Sequence, residues 1–150
     1  TEVKMMTDKL NLNVLDAAFY SLEQTVVQIS DRNWFDMQPS IVQDTLIAGA
    51  IQKFEFVYEL SLKMMKRQLQ QDAINTDDIG AYGFKDILRE ALRFGLIEDM
   101  SKWVVYRDMR NITSHTYDQE KAMAVYAQID DFLIESCFLL EQLRQRNQYD

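Results

Sequence analysis

The stretch Ile47-Ala-Gly-Ala-Ile51-Gln-Lys-Phe54-Glu-Phe-Val57-Tyr58-Glu-Leu-Ser61-Leu-Lys-Met-Met65 decides the fold. Ile47, Ala50, Ile51, Phe54, Val57, Tyr58, Ser61 and Met65 recur at intervals of three and four, the repeat of one helix face. The pattern predicts a long helix from Ser40 to about residue 71. Pro39 sits just before it, and Ser40 with Gln43 has the form of a capping box. Its last turns carry Lys63, Lys66 and Arg67, which suit the negative end of a helix dipole.

The same repeat extends outward. Leu12, Leu15, Phe19, Leu22, Val26 and Ile29 predict a first helix over about 10–30, ended by Asp31-Arg32-Asn33. Beyond the central helix, Asn75 to Gly83 reads as a loop, with Asp77, Asp78, Gly80 and Gly83. Ile87, Leu88, Ala91 and Leu92 mark the inward side of a short helix over 84–94, closed by Gly95 as a left-handed C-terminal residue. A helix over 98–112 is built on Met100, Trp103, Val104 and Met109. Thr116 and Gln119 can form a second capping box, ahead of one last helix over 118–146. Ala122, Val125, Ile129, Phe132, Ser136, Leu139 or Leu140, and Leu143 line that helix. The expectation is an all-α, antiparallel up-and-down bundle of four-helix type, with three long helices and a shorter pair as the fourth layer. One domain accounts for 1–150, with 1–9 read as flexible or added sequence and Met6 a candidate native start. Phe54, Phe56, Tyr58, Phe132 and Phe138 do not all fit one narrow face, and a homodimer interface would absorb the surplus.

Composition narrows the function. Four Gly and one Pro in 150 residues are too few to punctuate a β-sandwich or barrel. One Cys and one His exclude an internal disulfide and a Cys₄ or Cys₂His₂ zinc site within a chain. The single Cys suits a reducing compartment. No apolar run reaches the ~18 residues of a membrane span, and no apolar leader is present, so the cytoplasm is the expected location and a membrane is not an expected partner. The net charge of −8 opposes bulk nucleic-acid binding, and DNA is not an expected partner. RNA would need a local basic site.

No glycine-rich dinucleotide or triphosphate cradle is present, and the paired Glu-x-x-His motifs of di-iron bundles are absent. Asp77-Asp78 and Asp130-Asp131 are adjacent pairs, unlike the spaced carboxylates that hold Mg²⁺, and read as solvated surface. Trp34 and Trp103 read as core or interface aromatics, Met64-Met65 as core or part of a partner groove, and Cys137 as an inert buried thiol.

The informative segment is Arg107-Asp-Met-Arg110-Asn111-Ile-Thr-Ser-His115-Thr-Tyr117. Arg107 and Arg110 are three apart and share a helix face. His115 falls in the following turn, which can fold the imidazole back toward the guanidinium. Residues 101–121 hold four bases (Lys102, Arg107, Arg110, Lys121) against three acids (Asp108, Asp118, Glu120), so the stretch is near neutral in an acidic chain. The free N–H groups of the last helix could hold a phosphate beside it. His carries protons near pH 7 and Arg binds phosphate with a bidentate fork. RNA cleavage without metal uses a base on the 2′-OH, an acid on the leaving oxygen and a cation on the phosphate. One His per chain cannot be both in one step; a two-fold dimer with His115 near the axis supplies two. The same Arg and His equally suit a structural role at a helix end.

Arg110-x₄-His115-x-Tyr117 resembles the R-x₄₋₆-H signature of the HEPN superfamily, in its form with Tyr two residues after His. Gly49 to Leu60, Lys85 to Ala91 with Gly95-Leu96-Ile97, and Arg110 to Asp118 are similar to the branch called nucleotidyltransferase substrate-binding proteins, across about residues 10–145. The resemblance implies a dimerising helical bundle paired with a separate minimal nucleotidyltransferase. That partner would carry the Mg²⁺ and nucleoside triphosphate, with no cofactor in this chain. It implies a substrate- or nucleotide-binding subunit. The alternative it implies is a metal-independent ribonuclease toxin, neutralised when the partner adds AMP to Tyr117. Arg110 then carries over as phosphate and transition-state binder, His115 as acid/base or phosphate ligand, and Asn111 as a residue orienting the motif. Arg107 is added from helical spacing alone. Outside 61–71 and 101–121 there is no basic track, which suits a nucleotide or a short RNA segment better than an extended duplex.

Overall fold

The computed structural model describes residues 9–72 and 79–148. Helix α1 spans Asn13–Ser30, α2 Arg32–Phe35, α3 Ser40–Asp72, α4 Phe84–Arg93, α5 Met100–Ile112, α6 Gln119–Tyr126 and α7 Ile129–Arg146, with a 3₁₀ turn at Thr113–His115 between α5 and α6. The cross-helix pairs fix the topology. Lys53 meets Thr25, and Arg144 meets Asp16, so α1 runs antiparallel to both α3 and α7. Lys102 meets Glu135 and Tyr106 meets Asp131, so the start of α5 runs antiparallel to α7, and its last turn reaches α3 through Arg110 and Glu59. Phe54 packs on Phe132 and Gln68 bonds Asn147, offsets one residue apart that make α3 and α7 parallel. This is an up-down-up-down bundle, with α4 as the extra short helix.

The stripe that predicts α3 is its core face. Ala50, Ile51, Phe54, Val57, Tyr58, Ser61 and Met65 are all buried, and Ile47 packs at the edge. Met64 is buried too, so Met64-Met65 belongs to the core. At the centre, Phe132 receives Phe54 and Tyr106 edge to face at 4.8 and 5.0 Å between centroids, with Trp103 at 6.0 Å. Aromatic pairs in this geometry add to the apolar burial that holds α3, α5 and α7 together. Much of the apparent surplus of aromatic residues is absorbed here: Phe54, Tyr58 and Phe132 are buried within one chain, Phe138 is half-buried, and Phe56 stays half exposed.

The termini of the helices follow local chemistry. Asp31 closes α1 and caps α2, accepting from the backbone of Trp34. Gly95 takes φ +77°, with Leu96 N bonded to Ala91 O and Gly95 N to Leu92 O, the double closure of a Schellman turn. Asp99 caps α5 through the N–H groups of Ser101 and Lys102. Asn147 ends α7 from a buried position. Its amide donates to Gln68 Oε1 and Leu143 O, and its Oδ1 accepts from Leu10 N, tying the approach to α1 and the end of α7 to α3.

Several expectations are corrected. The last helix is not continuous: it breaks at 127–128, where Gln128 N closes a tighter bond to Val125 O, with no proline or glycine to announce it. The Ser40–Gln43 box does not form, because Ser40 already lies inside α3. The Gln43 amide instead donates to Phe35 O and Gln38 O. Leu92 faces solvent, since the narrow inward side of α4 is filled by Ile87, Leu88 and Ala91. Trp34 is partly exposed while Trp103 is fully buried. Cys137 is half-buried beside Glu141 rather than buried. Burial and the Glu141 and Glu23 carboxylates push its thiol upward, which keeps it a poor nucleophile. Asp131 is not merely solvated: it accepts from Tyr106 Oη and holds Lys102 at 3.3 Å. Asp77-Asp78 lies outside the described residues. No helix among the described residues is long and apolar enough to cross a membrane.

Candidate functional site

Arg110 stands in the last turn of α5, at the edge of the aromatic core. Tyr58 of α3 lies beneath it, its phenol pushed up to about 12 by burial, against the pull of the Arg107 and Arg110 charges. A neutral phenol therefore faces both guanidiniums at physiological pH. Arg107 lies over the ring of Phe84, 4.5 Å from its centroid, a cation–π contact that fixes the side chain against α4. Asn111 is exposed on the next helical position.

The Arg110 fork is engaged from α3. Its Nε donates to Glu59 Oε1 at 2.8 Å, and Nη2 lies 2.7 Å from the same oxygen and 3.3 Å from Glu55 Oε1. Nη1 donates to Thr113 Oγ1 at 3.3 Å, and that hydroxyl in turn donates to Arg110 O at 2.7 Å. Hydrogen bonding to Glu59 holds the guanidinium still more firmly cationic.

His115 ends the 3₁₀ turn and is exposed. Its ring meets Tyr117 edge to face, 6.1 Å between centroids, and Tyr117 is 85% exposed. The turn thus brings His115 to Tyr117, and among the described residues no hydrogen bond joins His115 to Arg110.

The helix after the turn also differs from expectation. Thr116 is not its cap, because its hydroxyl donates to Thr113 O at 3.2 Å. Asp118 caps α6 instead, accepting from Glu120 N at 3.0 Å and Lys121 N at 3.4 Å. Two of the N–H groups read as a phosphate cradle, those of Glu120 and Lys121, are thus taken by a carboxylate of the chain itself. Sequence reasoning missed Glu55, Tyr58 and Glu59 as site residues. The signal for the two acids was their four-residue spacing, which places them on one face of α3.

Glu55 and Glu59 also border a groove of about 590 Å³ between α1 and α3, lined by Val14, Ala17, Ala18, Gly49 and Phe56 among others. Val14 is 56% and Phe56 50% exposed there. Among the described residues no group of three or more His, Cys, Asp or Glu side chains is placed to hold a metal ion.

A family model described as "Nucleotidyltransferase substrate binding protein like" matches residues 10–145. A Haemophilus influenzae protein called "Probable ribonuclease HepT" is 98% identical over 146 residues, which is 97% of this chain and 100% of that protein. A solved Haemophilus influenzae structure, described as revealing the fold of a substrate binding domain of a nucleotidyltransferase, is 98% identical. It superposes with a TM-score of 0.89 over 90% of this chain and 100% of its own. A Thermus thermophilus structure at 24% identity covers 87% of this chain and 98% of its own with a TM-score of 0.66, a likeness of fold alone.

Proposed function

The chain belongs to the nucleotidyltransferase substrate binding protein like family, and from that premise we propose that it is a ribonuclease whose site is Arg110 and His115. The observation that carries this reading is the exposed His115, on a short turn just beyond Arg110 and in ring contact with exposed Tyr117. The name of the 98% identical relative supports it. In the reaction, a histidine accepts the proton of the RNA 2′-OH as that oxygen attacks phosphorus. The bond to the 5′-oxygen breaks, and a second histidine donates a proton to the leaving oxygen, giving a cyclic phosphate and a free 5′-hydroxyl. Arg110 stabilises the charge on the phosphorane oxygens. Two copies of the chain supply the groups this step uses, and no metal ion takes part in it as written. The second histidine is the partner's His115 in a homodimer. The half-exposed Val14 and Phe56, which line a groove with Glu55 and Glu59, support the α1–α3 face as the seam.

Tyr117 is the control point. A separate small nucleotidyltransferase, carrying Mg²⁺ and ATP, would transfer AMP to its phenolic oxygen with release of pyrophosphate, and the phenol's proton passes to solvent. The added phosphate would place bulk and negative charge against His115. The description of the solved relative as a nucleotidyltransferase substrate binding domain favours a second reading. In that reading the same residues hold a nucleotide for the partner, and Arg107, Arg110, Asn111 and His115 are its contacts.

Expression without the nucleotidyltransferase tests the choice. The ribonuclease predicts growth arrest relieved by His115→Ala; equal growth of both, at equal protein levels, contradicts it.

A further inference from the structure

An arginine offers phosphate two bidentate edges, Nε with Nη2 and Nη1 with Nη2. In this chain neither is open. Glu59 Oε1 spans the first edge at 2.8 and 2.7 Å. The second is divided between Glu55 Oε1, 3.3 Å from Nη2, and Thr113 Oγ1, 3.3 Å from Nη1. Nε and Nη1 each donate one hydrogen bond, and Nη2 lies within ion-pair distance of both glutamates. The clamp also reverses the local charge, with one guanidinium set against two carboxylates. A phosphate arriving at Arg110 therefore meets a fork already engaged by two carboxylates.

We propose that Glu55 and Glu59 are specificity-determining residues that act as an internal mimic of phosphate: they hold Arg110 closed, and RNA phosphate binds by displacing them. The inference rests on the reading of Arg110 as a phosphate ligand. The clamp is built to open. Glu59 and Glu55 side chains are 50% and 34% exposed, and Arg110 is 33% exposed, so the pairs are screened by water and contribute little to folding. A rotation of Glu59 toward solvent frees the Nε–Nη2 edge without disturbing the core beneath. The consequence is discrimination: a singly charged anion that makes one contact cannot displace two carboxylates, whereas consecutive RNA phosphates, which also reach Arg107, can.

The test is anisotropy of a fluorescein-labelled single-stranded RNA decamer with wild type, Glu55→Gln, Glu59→Gln, the double glutamine variant and Arg110→Ala, across a salt series. Glutamine keeps the shape and removes the charge. The double variant is expected to bind about tenfold more tightly, the size of one charge-assisted contact regained, with a steeper salt dependence. The gain should vanish when Arg110→Ala is added. Binding that is unchanged or weaker in the glutamine variants, with Arg110→Ala still impaired, overturns the clamp and leaves the site reading standing, with the acids as positioning residues. Binding that ignores Arg110→Ala in every background overturns both.

Discussion

The imidazole of His115 and the phenol of Tyr117 meet edge to face, 6.1 Å between centroids, at the end of a turn in which both side chains are exposed. A group attached to the Tyr117 oxygen would therefore be carried on a ring already in contact with the histidine. Incubating the protein with a partner nucleotidyltransferase, ATP and Mg²⁺ is expected to add the mass of one AMP moiety per chain and to abolish RNA cleavage. Tyr117→Phe should keep its cleavage activity and gain no mass. Intact-protein mass spectrometry with a parallel cleavage assay checks both.

Asn147 links three parts of the chain from a buried position. Its amide satisfies Gln68 Oε1, which is fully buried, and its Oδ1 accepts from Leu10 N. Asn147→Ala leaves a buried acceptor without its donor, which costs about 1–3 kcal/mol. Urea denaturation should show the loss as a lower midpoint with an unchanged slope.

Gly95 holds the left-handed conformation that ends α4 at φ +77°. A side chain there meets the Cβ–carbonyl clash of that region, and Gly95→Ala is expected to destabilise by about 1 kcal/mol. An added Cβ would lie 3.4 Å from Arg146 Nη2, an atom at the end of a flexible side chain, so the backbone conformation carries the cost. Thermal unfolding measures it.

Tyr58 and Tyr106 both have their ionisation pushed up by burial, Tyr58 to about 12, with the Tyr106–Asp131 hydrogen bond adding to the shift at Tyr106. In the unfolded chain a tyrosine loses its proton near pH ~10. Above that pH the native state therefore holds more protons than the unfolded one, and stability falls as pH rises. For Tyr58 the fall runs from about 10 to about 12. Denaturation midpoints taken through this window should drop for wild type and drop less steeply for Tyr58→Phe.

Periodicity made the bundle legible. The stripe from Leu12 to Ile29 and the one from Ala50 to Met65 each mark a core face, and Gly95 marks a real helix end. What stayed hidden depends on partners far away in the chain. Arg110 and Glu59 are 51 residues apart, and Tyr106 and Asp131 are 25 apart, so neither pair is written in a local spacing. The break at 127–128 carries no helix-breaking residue. The cap of α6 went to Asp118 rather than Thr116 because the 3₁₀ turn uses the Thr116 hydroxyl for itself. Arg110, His115 and Tyr117 were visible as candidates in one short segment; the carboxylates that occupy Arg110 were not.

The most direct measurement is RNA cleavage in EDTA. Wild type, free of AMP on Tyr117 as verified by mass, is incubated with a mixture of tRNA and mRNA beside His115→Ala and Arg110→Ala prepared identically. Cleavage by wild type that is lost in both variants is the predicted result. Intact RNA with wild type, or equal cleavage by all three proteins, would contradict a ribonuclease site at Arg110 and His115.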